Sequence, residues 1–273
     1  MSATLERLLS VMTRLRDPHK GCPWDLEQDF KSLTSCTLEE AYETVEAIES
    51  GDPAAMKDEL GDLLFQIVFY AQLAREQGLF DFEAIANHVA DKMIERHPHV
   101  FGDREAKTAH AVVVNWEADK AAKRERLAKD KGHNHSVLDG VSPALPGSTR
   151  AVKLQKRASR IGFDWNDPLK VLDKLDEEVE ELKAEMRKAP CPDPAALADE
   201  LGDVYFVLAN LARHLELDPE TCMRHANAKF ERRFRYLESR MQEQGLLKSG
   251  EKAPLDAMES LWNEAKTKEK DKS

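Results

Sequence analysis

The residues with spacing suited to chemistry fall in two stretches. Glu177, Glu178 and Glu181 form a Glu-Glu-x-x-Glu run, and Glu200 and Asp203 follow as Glu-x-x-Asp inside Asp199-Glu200-Leu201-Gly202-Asp203. The same pattern stands earlier in the chain: Glu39, Glu40 and Glu43, then Glu59 and Asp62 inside Asp58-Glu59-Leu60-Gly61-Asp62. Positions i, i+3 and i+4 of a helix share a face, so each run presents neighbouring carboxylates. If the two helices of a copy pack antiparallel, their carboxylates converge, and such a group cannot stay ionised without cations between its members. Oxygen-only donors select a hard ion, Mg2+ or Mn2+, over zinc. An ion of that kind screens phosphate charge and activates water. A di-iron carboxylate bundle would need Glu-x-x-His on two helices, whereas position 181 is Glu and position 203 is Asp.

A Glu-Glu-x-x-Glu run by itself is an ordinary solvated helix face. The weight lies on the Glu-x-x-Asp pairs and on the recurrence of both halves. Each pair opens a strongly apolar segment, Leu63–Ala71 or Val204–Ala212, which predicts a buried helix with a cation against its carboxylates. Basic and aromatic residues repeat as well. Lys92 and Arg96 lie one turn apart in the first copy, and Lys229 and Arg233 in the second. Trp116 with Lys120 and Trp262 with Lys266 come near the ends of the copies. A Lys/Arg pair suits phosphate oxygens, and a tryptophan can stack on a base.

The elements that must position these residues are helices. The 273 residues allow two ordinary domains, and the repeat divides them as 1–131 and 149–273 with a linker over 132–148. Charged residues at 33% and aromatics at 7% suit solvated helices better than strands, and no segment alternates convincingly, so the fold class is all-α, two tandem helical bundles. Leu5, Leu8, Leu9, Met12 and Leu15 predict a first amphipathic helix. Cys22-Pro23-Trp24 reads as a turn with an aromatic anchor. Thr37 is placed as the cap of the next helix, whose apolar face would be Leu38, Ala41, Tyr42, Val45 and Ile48, with the glutamates opposite. In the second copy, Leu172, Leu175, Val179, Leu182 and Met186 would pack in the same way. Asp167-Pro168 and Asp218-Pro219 mark helix starts, while Ser50-Gly51-Asp52-Pro53 and the run from Pro190 to Pro194 read as breaks ahead of the Glu-x-x-Asp helices. His97, His99, His133 and His135 read as loop residues rather than ligands.

A formal charge of −11 repels nucleic acid and anionic membrane, so neither is an expected partner. The four cysteines show no CxxC pairing and read as the reduced thiols of a cytoplasmic protein. No apolar run is long enough to span a bilayer.

With the doubled Glu-Glu-x-x-Glu and Glu-x-x-Asp, Gly21-Cys-Pro-Trp24 near the start and Glu95-Arg-His-Pro-His-Val-Phe101 in the first half, the chain resembles the MazG family of nucleoside triphosphate pyrophosphohydrolases over nearly its whole length. The resemblance implies an all-α fold assembled as a homodimer. It also implies Mg2+-dependent hydrolysis of nucleoside triphosphates to monophosphate and pyrophosphate, loose base selection, and roles in nucleotide-pool cleaning or stress-nucleotide control. Carried onto this sequence, it makes Glu178, Glu181, Glu200 and Asp203 the metal ligands. Lys174 and Glu177 fall beside the phosphates, which leaves Glu177 as this reading's own candidate to orient the attacking water. Asp199, Lys229, Arg233, Trp262 and Lys266 would contact nucleotide. Position 174 corresponds to Cys36 in the first copy, so the second copy is expected to carry catalysis. Glu40, Glu43, Glu59 and Asp62 remain a candidate second metal site. A protein that binds Mg2+ and nucleotide without turnover would use the same residues.

Overall fold

A computed structural model describes residues 3–105, 108–130, 136–188, 191–246 and 254–270. Every regular element among them is a helix, as the composition predicted. The chain divides into two compact units, Met1–Glu117 and Ala118–Ser273. This division by packing falls inside the helix Ala109–Asp130. Residues 132–135 of the expected linker, with His133 and His135, lie outside the described residues, and residues 147 and 148 belong to a helix.

The first unit holds α1 (Ala3–Leu15), α2 (Pro23–Glu27), α3 (Thr34–Ser50), α4 (Pro53–Glu76), α5 (Phe82–Arg96), α6 (Pro98–Phe101) and the start of α7 (Ala109–Asp130). The site is positioned by the hairpin of α3 and α4. Gly51 ends α3 at φ 71°, a left-handed conformation that a side chain would strain. Asp52 then accepts a hydrogen bond from the Ala54 N–H at 2.9 Å, and Pro53 supplies a first residue with no N–H to satisfy. So short a link turns α4 back along α3. The Thr44 hydroxyl donates to the Glu59 carbonyl at 3.3 Å, and the Thr37 and Tyr70 hydroxyls meet at 2.8 Å, which is antiparallel register. α1 lies on the other side of α4, where Met12 is buried with Leu33, Val68, Phe69 and Leu73. Arg16 closes that contact on Glu76, with Nη2 2.7 Å from the carboxylate.

The second unit repeats the plan. It holds α8 (Gly147–Ala158), continued by a 3-10 turn to Ile161, then α9 (Pro168–Met186), α10 (Pro194–His214), α11 (Pro219–Glu243) and α12 (Leu255–Lys270). Asp167, Asp193 and Asp218 cap α9, α10 and α11 by accepting from the N–H groups of Leu169, Ala195 and Thr221. α9 and α10 form the second hairpin. Gln155 of α8 donates to the Phe206 carbonyl of α10 at 2.9 Å. α12 packs on α11 through buried Leu237, Met241 and Leu261.

Four local expectations are corrected. Thr37 does not cap α3, which begins at Thr34; its hydroxyl instead donates back to the Leu33 carbonyl at 2.9 Å. Cys22-Pro23-Trp24 is not only a turn, because Pro23 opens α2, and Trp24 is exposed rather than anchored. His99 lies in a short helix, α6, not a loop. The helices α4 and α10 are also not buried on all sides: Leu60, Leu64 and Ile67 of α4 and Leu201, Tyr205, Phe206 and Leu208 of α10 are exposed. Among the described residues no helix is long and apolar enough to cross a membrane.

The packed face of α3 differs from the one its apolar stripe suggests. Leu38, Tyr42 and Ile48 are 58%, 53% and 54% exposed, while Thr44 and Ala47 are buried and Glu40 is half-buried. α9 behaves alike: Leu172 and Met186 are exposed, and the buried residues are Val171 and Glu178. In both hairpins the carboxylates turn toward the neighbouring helix, and much of the apolar stripe faces outward.

Candidate metal and nucleotide site

The rotation of α9 brings the predicted ligands together. Carboxylate oxygens of Glu178, Glu181 and Glu200 lie within 4.8 Å of one another, and those of Glu40, Glu43 and Glu59 do the same in the first unit. Antiparallel hairpins with register set by a short link produce this convergence twice. Asp203 and Asp62 fall outside these groups of three, but their charges act on Glu200 and Glu40 respectively.

The electrostatics are those of crowded anions. Burial, then the charges of Glu181, Glu185, Asp203 and Glu178, push the Glu200 carboxyl above the usual range. Glu40 is pushed up by burial and by Asp62, Glu43, Glu59 and Glu39. Glu59 is raised by burial and by Glu43, Asp62, Asp58 and Glu46. At the edge of the cluster, Lys174 Nζ lies 2.7 Å from Glu177 and 2.7 Å from Glu178, whose side chain is only 7% exposed. Those two hydrogen bonds raise the lysine pKa and hold it charged. The donor set, three clustered carboxylate oxygens in each unit with an excess of negative charge, fits a hard divalent ion.

Glu185 is a residue that the motif did not single out. It contributes to the field on Glu200, pairs with Lys188, and leaves Oε2 buried without a hydrogen-bond partner. Its spacing was a legible signal: Glu185 is seven residues after Glu178, on the same helix face. The matching position in the first unit is buried Ala47.

The predicted nucleotide contacts form a separate group on α11 and α12. Arg233 lies over the Trp262 ring, 5.9 Å from its centroid, and pairs with Glu269 at 2.8 Å. Trp262 and Lys266 line a cavity of about 410 Å³ with Phe230, Phe234, Met258 and Asn263, and none of the four carboxylates lines it. Phe230 sits 5.4 Å from Trp262 and 5.7 Å from Phe234 between centroids, an aromatic wall that the i, i+4 spacing of the two phenylalanines could have disclosed. Lys229 is exposed on α11. Asp199 is exposed near the start of α10 and borders an open hollow with Asp193. In the first unit Trp116 is occupied otherwise: its indole N–H donates to the Arg96 carbonyl at 2.5 Å and its ring meets His97 edge-on.

Known proteins resemble this sequence across the chain. The sequence model of the MazG nucleotide pyrophosphohydrolase domain matches twice, over residues 28–101 and 166–237, each match spanning one carboxylate hairpin. A nucleoside triphosphate pyrophosphohydrolase of Escherichia coli (strain K12) is 45% identical over 267 residues, covering 98% of both chains. The nucleoside triphosphate pyrophosphohydrolase/pyrophosphatase MazG of Thermotoga maritima is 40% identical over 262 residues, 96% of this chain and 95% of that protein. A nucleoside triphosphate pyrophosphohydrolase of Mycobacterium tuberculosis is 32% identical over 160 residues, 58% of this chain and 46% of that protein. Two family matches and full-length relatives at this identity place the chain in the MazG nucleotide pyrophosphohydrolase family.

Proposed function

We propose that this protein hydrolyses nucleoside triphosphates to nucleoside monophosphate and pyrophosphate at the α9–α10 hairpin of the second unit. The observation that carries the reading is the cluster of Glu178, Glu181 and Glu200 with a lysine, Lys174, already at its edge. Glu178, Glu181, Glu200 and Asp203 would hold Mg2+, which Mn2+ could replace. The ion, when bound, screens the phosphate oxygens and makes phosphorus easier to attack. Lys174 then supplies positive charge to the phosphates. Glu177, whose side chain is 58% exposed beside Lys174, orients the attacking water and receives its proton. The water oxygen bonds to phosphorus as the α–β bridging bond breaks and pyrophosphate leaves.

Lys229, Arg233, Lys266 and Asp199 are the further nucleotide contacts. Trp262 offers a flat face that accepts any base, which agrees with broad specificity. Such specificity suits the cleaning of nucleotide pools or the control of stress nucleotides. Glu40, Glu43, Glu59 and Asp62 would form a second metal site, without the lysine. The functional domains are 1–131 and 149–273, joined by 132–148.

The protein is further proposed to act as a cytoplasmic homodimer. Tyr205, Phe206, Leu208 and Met223 are exposed around an apolar groove of about 610 Å³ between α8, α10 and α11, a surface that a second copy would cover. All four cysteines are free, as the reducing cytoplasm would keep them.

Chromatography of the products from ATP and Mg2+ tests the reaction. AMP with pyrophosphate is expected. ADP with phosphate would overturn the assignment of reaction type, and retained nucleotide without product would reduce the protein to a binding module.

A further inference from the structure

We propose that Lys174 is a resident counter-ion of the second carboxylate cluster, which it holds in the metal-free protein and leaves for the triphosphate when nucleotide arrives. Divalent-metal uptake in the second unit therefore depends on nucleotide, whereas the first unit, with Cys36 in the matching position, takes metal without it. The inference rests on the proposed function and adds an order of assembly to it.

Three observations carry it. Lys174 Nζ is 2.7 Å from an oxygen of Glu178, a residue of the clustered triad, so an ammonium already neutralises one of the ligands. Lysine–glutamate pairs one turn apart on exposed helix surfaces contribute only a few tenths of a kcal/mol and are readily exchanged. This pair is different in kind, because the Glu178 side chain is 7% exposed and a buried carboxylate stripped of its partner is costly. Lys174 itself is 30% exposed and also touches Glu177, so its ammonium stands at the solvent edge, where a phosphate could draw it away. The first unit supplies the contrast. It has the same triad, Glu40, Glu43 and Glu59, with half-buried Cys36 where the lysine would be. A thiol brings no positive charge to that triad.

The consequence follows from competition. A divalent ion approaching the second triad meets a fixed positive charge and must displace it. A triphosphate that attracts the lysine removes that obstacle, and linkage requires metal to favour nucleotide by the same factor.

The test measures Mn2+ binding by electron paramagnetic resonance on the full-length protein, with one cluster silenced at a time. In a Glu59→Gln background only the second cluster remains. There Lys174→Met should bind Mn2+ alone about tenfold more tightly than its parent, a typical coupling factor, while Lys174→Arg should stay weak. The parent should gain Mn2+ affinity, at matched free Mn2+, from ATP whose α–β bridging oxygen is replaced by methylene, and Lys174→Met should lose most of that gain. In a Glu200→Gln background, Cys36→Lys should weaken Mn2+ binding to the first cluster. This reciprocal variant keeps the test valid should Lys174→Met fold poorly. Mn2+ binding no tighter in Lys174→Met, together with Cys36→Lys leaving the first cluster unchanged, would overturn the inference and leave the proposed function standing. Absence of Mn2+ from both clusters, even with nucleotide, would overturn both.

Discussion

The Arg233 guanidinium lies over the Trp262 indole and is tied at the same time to Glu269 at 2.8 Å. One arginine thus fixes the tryptophan's orientation while its charge is partly taken up by a carboxylate. Glu269 also holds Arg232 at 2.7 Å, so the end of α12 is clamped to α11 beside the aromatic cavity. The tryptophan face is presented by a braced element, as a stacking surface needs. Trp262→Ala should therefore act on binding more than on the chemical step. Steady-state kinetics should show KM for ATP raised about tenfold, within the range of one lost base stack, with kcat changed less. A large fall in kcat at unchanged KM would remove Trp262 from the base side.

A second bracing point lies where α8 leads into α9. Asp164 accepts from Arg213 and from His214 Nε2, the latter at 3.1 Å, and Arg213 also donates to the Asn210 side chain. Burial pushes the Asp164 carboxyl up, but the hydrogen bonds and charges of Arg213 and His214 outweigh it and hold it below the usual range. A carboxylate lowered in this way contributes stability above its unfolded pKa and loses it as pH falls through the folded value. Asp164→Asn should cost about 1–3 kcal/mol at neutral pH, the scale of hydrogen bonds to a charged group. Urea denaturation as a function of pH should show that difference shrinking toward acid.

The carboxylate clusters make the metal a stabiliser as well as a reagent. A ligand that binds only the folded state raises stability by mass action, about 2.7 kcal/mol at one hundred times its Kd. Thermal melts with Mg2+ and the methylene analogue of ATP should therefore rise above melts without them. Glu181→Gln removes one proposed ligand from an exposed position and should cut that rise back to the share of the first cluster, with little change in the metal-free Tm. An unchanged rise would exclude Glu181 as a ligand.

Helix limits were legible because they are written locally. Asp167 followed by Pro168 and Asp218 followed by Pro219 place a side-chain acceptor and a residue without N–H where a helix start needs them, and both helices begin there. The convergence of Glu178, Glu181 and Glu200 was legible for a similar reason: two fixed helical spacings and a short connection leave few ways to pack. The face of α3 that packs was not legible. Leu38, Tyr42 and Ile48 form the better apolar stripe, yet Thr44 and Ala47 are buried. Periodicity reports that a stripe will be covered, not whether the cover comes from the same hairpin or another surface. A hairpin built around carboxylates must turn those groups inward, against the rule that orients ordinary amphipathic helices. The Lys174–Glu178 pair was hidden for a different cause. Its i, i+4 spacing is that of countless surface pairs, and only the burial of Glu178 sets it apart.

The central claim is that the carboxylates of the second unit carry turnover. The most direct test compares AMP and pyrophosphate formation by the wild type, Glu200→Gln and Glu59→Gln at saturating ATP and Mg2+. The account predicts that Glu200→Gln loses at least about a hundredfold in kcat, the scale of a removed transition-state charge contact, while Glu59→Gln retains most of the activity. Full turnover by Glu200→Gln, with loss in Glu59→Gln, would contradict it and move catalysis to the first unit.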